Sequence, residues 1–435
     1  MKLETAKSLL LIILIATSLV LTFGMWNYRP EYEPLSDVES VEEDDLGGDI
    51  MQVQDAVKPT DVVFKMNGQF FGYTDPEDSM QFFEDIQQWE LTNIQSSDVE
   101  EDRESGAEVE IIFPSEVPLS LFDNILNVDS SLTDITNFYT DRMYIDLEED
   151  EETLHVQFVS MNGEQIVEAD IPSMSSYDRL LSIFGELDED DYEEQELLTE
   201  TDRDIYIPVE QKILTSYSYT FDMIPAGNIR NIMFSNPNLV NVSESAAGSI
   251  MYRTDNRQVN ISNYGMKFID VAERNNEPTE KSVLQQSLED INDHAGFTED
   301  YRLESFTDDS VAYRLFHFQY PVINNSNPDL SMIYQQWQND QLSEYDRSLI
   351  SLETVANTSS TDLRESSEVI ESIRKDDNAA DIQDVQIAYR LTIESDDNGE
   401  DYVLLEPEWY QRINNSWSAV PKQNTDAQQN EKGGS

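Results

Sequence analysis

Not one of the 435 residues is a cysteine. That excludes disulfides, thiolate nucleophiles, iron–sulfur clusters, thiolate zinc sites and the lipid-bearing cysteine of a bacterial lipoprotein. An exported protein without disulfides suits a single-membrane bacterial surface better than a eukaryotic secretory route. Positive charge is also scarce: Lys and Arg number 26 against 89 Asp and Glu, for a formal net charge of −63. A nucleic-acid duplex or an anionic membrane surface repels such a chain. Two explanations of the acidity compete, a cationic partner and adaptation to salty or alkaline surroundings whose counterions screen self-repulsion. The carboxylates come in bursts along the whole chain, such as Asp146–Glu152 (DLEEDEE) and Asp188–Glu196 (DEDDYEEQE). A docking patch would be local, so the spread favours the environment.

Histidine occurs three times. His155 alternates with apolar neighbours and is predicted on the polar side of a strand. His294 falls in the last turn of a helix, and His317 lies inside the strand pattern YRLFHFQY. Three separate segments with no metal-ligand spacing point to no metal and no histidine-based catalysis. There is no Walker loop and no dinucleotide fingerprint. Ser372-Ile-Arg-Lys375 has the serine–lysine spacing of penicillin-binding proteins, but the SxN and KTG partners are missing. Glu394–Asp401 (ESDDNGED) lacks the spacing and closing Glu of a calcium loop and reads as a hairpin turn at Asp397-Asn398-Gly399. No catalytic residue, metal site or cofactor is expected.

One segment escapes the acidity. Residues 8–28 carry no charge, and eleven of them are Leu, Ile, Val or Phe. At about 1.5 Å per residue such a helix crosses the roughly 30 Å hydrocarbon core, and the apolar residues supply about −3 to −7 kcal/mol for insertion. The apolar run continues to Trp26 without a small-x-small cleavage site, so the sequence predicts a retained anchor rather than a cleaved signal. Trp26 and Tyr28 suit the interface. Lys2 and Lys7 before the span leave residues 1–7 in the cytoplasm and the acidic bulk outside. The expected location is the cell membrane, single-pass. Ser8, Leu11, Ile15, Ser18, Thr22 and Met25 recur at spacings of three and four and form one stripe. Ser18 and Thr22 are a small-xxx-small pair that lets another helix approach closely. The stripe is the candidate partner-binding face, against the blander reading that the helix only anchors.

Beyond the span, residues 29–58 read as an acidic, self-repelling linker. An α+β, strand-rich region in three domains is expected: 59–200, 201–300 and 301–420, followed by a disordered tail, 421–435. Asp61–Tyr73 (DVVFKMNGQFFGY) reads as a hairpin around Asn67-Gly68. Helices are expected at 76–91, 173–185, 225–234, 279–294 and near 366–375, and strands at 142–147, 153–160 and 212–221. Residues 187–200 read as an acidic boundary. SIMYRTDNRQVNISNYGMKFID from Ser249 and SMIYQQWQNDQLSEYDRSLISL from Ser331 share a strand–turn–strand pattern, which predicts that the last two domains are related.

Several stretches taken in order resemble the YycH (WalH) family of Gram-positive bacteria. They are the anchor running into WNYRPEYEPL, MFSNPNLVNVS at Met233–Ser243, YRTDNRQVNIS at Tyr252–Ser262 and AYRLFHFQYPVIN at Ala312–Asn324. IYQQWQNDQLSEYDRSLI at Ile333–Ile350 and VLLEPEWYQRINNSW at Val403–Trp417 complete the series. The resemblance implies a non-enzymatic, three-domain extracytoplasmic protein. It would act with a YycI-like protein on the YycG (WalK) sensor histidine kinase that controls cell-wall metabolism, through transmembrane helix contacts. It supplies no catalytic residues. Competing expectations from the residues alone are an ectodomain that senses a ligand or cation and an anchored cell-wall hydrolase.

Overall fold

The computed structural model describes residues 45–98, 106–129, 131–132, 135, 137–147, 153–160, 165–272 and 281–422. Among them no helix is long and apolar enough to cross a membrane. The run at 8–28 and most of the tail at 421–435 lie outside the described residues.

The fold is strand-rich α+β. Asn67 and Gly68 both adopt positive φ, 53° and 80°, the twist that closes a two-residue hairpin between Asp61–Met66 and Gln69–Tyr73. The helix Pro76–Gln88 starts where Asp75 caps the Glu77 amide at 2.9 Å and Pro76 presets the first turn. Its Met80, Phe82, Phe83 and Ile86 are buried. Phe82 packs on Phe64 of the hairpin, ring centroids 5.6 Å apart. The helix Met174–Glu186, capped by Ser173, adds Phe184 to the same core.

Among the described residues the strands form one sheet of ten and one of fourteen. The first sheet uses strands between Asp61 and Pro208, the second those between Ile213 and Ala419. Residues 187–200, expected as a boundary, contain the strand Tyr192–Leu198, which lies inside the first sheet between Gln69–Tyr73 and Ile205–Pro208. Its alternate residues Glu193 and Gln195 are buried although polar, and Lys212 reaches Glu193 at 2.6 Å. Acidity hid a strand whose inward charge has a partner.

The second sheet runs without a break across residue 300. A helix at Ala226–Met233 precedes four strands ending at Gly265–Asp270, and a helix at Val283–Asn292 precedes a set ending at Leu342–Ser348. The two final strands pair antiparallel, Gly265 opposite Ser348 through Ile269 opposite Glu344. Next outward from this seam lie Arg257–Ser262 on one side and Met332–Trp337 on the other; beyond them the order differs, because Met332–Trp337 is followed by Ser310–His317 and only then by Tyr320–Ile323. Arg257–Ser262 and Met332–Trp337 thus hold the places next to the seam, one strand out of step with the sequence likeness of Ser249 to Ser331.

Part of the expected linker is ordered. Leu46, Gly48 and Asp49 donate their amides to the carbonyls of His294, Ala295 and Phe297, at 3.0, 2.9 and 2.9 Å. Asn292 bonds both the amide and the carbonyl of Met51. Ala56 and Val57 are fully buried. Backbone pairing and two apolar side chains offset the repulsion of the neighbouring carboxylates here. The helix Ser366–Arg374 joins the two sheets: its Val369, Ile370 and Ile373 pack with Leu198, Ile205 and Ile207 of the first and with Val385 and Trp409 of the second.

Candidate functional site

Between the sheets lies a cleft of about 890 Å³. Each wall contributes a row of side chains fixed by strand register. In the first sheet, Asp61 stands opposite Ile112, and Ile112 opposite Arg142. In the second, Asp384 stands opposite Arg412, and Arg412 opposite Trp417. Residues directly opposite in antiparallel strands point to one face. Each wall therefore offers a carboxylate and a guanidinium to the same space.

The first wall is shaped by a break in pairing. The strand Ala107–Pro118 leaves register with Tyr139–Asp146 between Ile112 and Val117. Pro114, which has no amide to donate, sits in that break, and Pro114, Ser115 and Glu116 line the cleft. The Pro114 carbonyl accepts from Arg412 Nη1 at 2.9 Å, so the second wall is tied to the first.

Most of the arginines are committed. Arg142 pairs with the fully buried Glu110 and donates to the Asp204 carbonyl at 2.7 Å. Glu110 also takes Lys65 and the Tyr206 hydroxyl, each at 2.7 Å. Arg203 pairs with Asp141. Arg314 forks onto Glu304 at 3.3 Å, and Trp417 Nε1 donates to the same carboxylate at 2.7 Å. Burial alone would raise the Glu304 pKa. Arg314, Arg412 and these hydrogen bonds hold it below the usual value instead.

The two aspartates differ. Among the described residues neither Asp61 nor Asp384 has a salt-bridge partner; Asp61 accepts from the Val62 amide at 2.8 Å. Burial pushes Asp61 up to about 7, with the negative charges of Asp384 and Glu193 adding to it, against the Val62 amide and Arg142. Burial likewise pushes Asp384 up to about 6, with Glu304 adding, against Arg412, the Val385 amide and Arg142. Two carboxyls within each other's field across a cleft share the cost of ionising.

The stripe Ser8, Leu11, Ile15, Ser18, Thr22 and Met25 lies outside the described residues. The three histidines stay apart. His155 Nδ1 lies 2.9 Å from Asp170, on the strand Leu154–Val159. His294 follows its helix and faces the Tyr345 hydroxyl at 3.2 Å. His317 sits at the end of a strand among Tyr217, Tyr219 and Tyr389. Burial lowers both His294 and His317 to about 4. Among the described residues no group of three or more His, Asp or Glu could hold a metal ion. Sequence reasoning missed the cleft. Asp61, Arg142, Asp384, Arg412 and Trp417 meet only through register between strands far apart in the chain. The one local hint is arginine inside strand patterns of a chain poor in arginine.

Two family models match the chain: the N-terminal domain of YycH protein over residues 4–189 and its C-terminal domain over residues 202–427. A curated relative, the two-component system WalR/WalK regulatory protein YycH of Bacillus subtilis (strain 168), is 22% identical over 447 residues, 97% of each chain. The crystal structure of YycH from Bacillus subtilis superposes with a TM-score of 0.70 at 18% identity, covering 86% of this chain and 98% of that one.

Proposed function

This chain belongs to the YycH family, and from that membership we propose that it regulates a WalR/WalK-type two-component system. The observation that carries the reading is the end-to-end match, both domains in order, to a family whose curated Bacillus subtilis member is named as a regulator of that system. The role is non-catalytic: the chain biases the two signalling states of a sensor kinase, which requires contacts that differ between those states.

The proposed contacts lie in the membrane. Residues 8–28 form a single retained span with residues 1–7 in the cytoplasm. Ser8, Leu11, Ile15, Ser18, Thr22 and Met25 face the helices of the kinase and of a YycI-like partner, and the output concerns cell-wall metabolism. The uncharged 21-residue stretch and its small-residue pair support this. The three-part division at 59–200, 201–300 and 301–420 belongs to the same proposal. The test replaces 8–28 with poly-leucine of equal length and leaves the rest intact. Kinase output should fall to that of a strain lacking the protein. Output equal to wild type would overturn the helix-contact reading.

A second reading, in which the extracytoplasmic part senses a ligand, is favoured by the cleft between the sheets.

A further inference from the structure

The second sheet ends in a strand that lies open. Asn241–Glu244 follows the helix Ala226–Met233, and among the described residues its one pairing partner is Ile250–Arg253. All four of its residues are exposed. Strand register shows what that exposure interrupts. Tyr345, Phe268, Val259, Tyr252 and Val242 stand directly opposite one another from strand to strand, so they share one face. The first four are at most 6% exposed, and Val242 is 52% exposed. An apolar row that is core on four strands runs out into solvent on the fifth. Leu239, just before this strand, is 77% exposed.

The same position is covered elsewhere in the chain. Tyr301–Phe306 is the first strand after the helix Val283–Asn292 and pairs along Ser310–His317. Like Asn241–Glu244, it is the fourth strand out from the seam. Its Tyr301, Arg302, Leu303 and Glu304 are buried, with Ala107–Pro118 of the first sheet and the helix Val53–Ala56 packed against the strand. One position is sealed by the first sheet, and its counterpart is open.

Charge decides what fits the open one. Ser235–Ser249 carries a single charged residue, Glu244, in a chain where 26% of residues are charged. All fifteen residues are exposed or half-exposed. Depletion of charge marks the core of an interface. A neutral patch attracts no ionic partner, yet it is the kind of surface across which two chains of net charge −63 can approach. The first sheet of a second copy cannot be the cover, because its Ala107–Pro118 already packs on Tyr301–Phe306. The copy's own neutral edge is free. An antiparallel strand is complementary to itself, and a two-fold interface uses one patch on both subunits.

We propose that a second copy of this chain pairs antiparallel along Asn241–Glu244, about a two-fold axis at Val242. That register sets Val242 against its own counterpart and carries the apolar row into the partner. It sets Asn241 against Ser243 and Glu244 against Val240, so no two carboxylates oppose each other. Fifteen residues a side is fewer than the roughly 20–30 of a stable complex, so the dimer is weak. The rest of each chain is acidic, so salt strengthens it. The inference is independent of the kinase reading, because no kinase is present in its test. Ile350–Asp362, at the other end of the sheet, is exposed too, but its register slips twice against Ile213–Met223, and such bulges disrupt an edge.

The full chain in detergent is followed by sedimentation equilibrium and, since it has no cysteine of its own, by cysteine crosslinking. A dimer should form at about 10–100 μM, and its dissociation constant should fall about threefold or more between about 0.1 M and about 1 M NaCl. Val242→Glu, which puts two carboxylates face to face, should weaken the dimer about tenfold or more while the melting temperature stays unchanged. Under copper phenanthroline, Val242→Cys should form a disulfide-linked dimer. Thr358→Cys, exposed on the strand at the other end of the sheet, should not. A monomer at every concentration and salt, an undiminished dimer in Val242→Glu, or crosslinking of Thr358→Cys equal to that of Val242→Cys overturns the proposal.

Discussion

Arg412 Nη1 donates to the Pro114 carbonyl at 2.9 Å, carrying a cation from the second sheet onto the backbone of the first. The same guanidinium helps hold buried Glu304 ionised. Removing it deletes a charged hydrogen bond and leaves Glu304 with the Arg314 cation and the Trp417 donor. Arg412→Met keeps the apolar stem beside Trp417 and should cost about 1.5–3 kcal/mol, the range for hydrogen bonds to charged groups. Denaturant titration should show a lower midpoint with an unchanged slope. An unchanged midpoint would mean that the contact with Pro114 contributes nothing to holding the sheets together.

The docked segment at Leu46–Asp49 makes a local prediction. A Cβ built on Gly48 would lie 2.3 Å from the Phe297 carbonyl oxygen, closer than any real contact. The neighbour is backbone, so it cannot rotate aside. Gly48→Ala should therefore lift this segment from residues 294–297 and leave both sheets in place. Hydrogen exchange at the Leu46 and Asp49 amides should speed up by about tenfold or more, with the strands of either sheet unaffected. Unchanged protection at those two amides would contradict the docking.

Much of the framework is local and therefore visible in the sequence. Asn67-Gly68 marks a turn because few other residue pairs tolerate two positive φ values. Pro76 after Asp75 marks a helix start, and Asp397-Asn398-Gly399 a turn, where Gly399 takes φ +84°. Polarity misled where tertiary partners reverse its meaning. Tyr192–Leu198 reads as solvated, yet Glu193 is buried against Lys212. The segment after Asp45 reads as a repelling tether, yet carbonyls from residues 294–297 bind it. The cleft is illegible for a third reason. Asp61 and Arg142 share a row only because each is in register with Ile112, and nothing local encodes register across 81 positions (142 less 61).

The aspartates on the two walls carry a pH dependence whose sign is fixed. A carboxyl whose folded-state pKa lies above its unfolded value near 4 gives stability that is complete below about pH 4 and is lost as pH rises through the folded value. For Asp61 and Asp384, at about 7 and about 6, the loss falls between roughly pH 4 and pH 7. The charges facing them, Glu193 and Glu304 against Arg142 and Arg412, remain in place throughout that comparison if only these two side chains are changed. Asn mimics the neutral form, so Asp61→Asn with Asp384→Asn should melt above the parent at about pH 8 and close to it at about pH 4. His294 and His317, lowered to about 4, act in the opposite direction: the stability they give is present above their unfolded value and lost as pH falls. They are common to both proteins and cancel in the difference. A gap in melting temperature that is the same at the two pH values would show that neither aspartate resists ionisation in the folded protein.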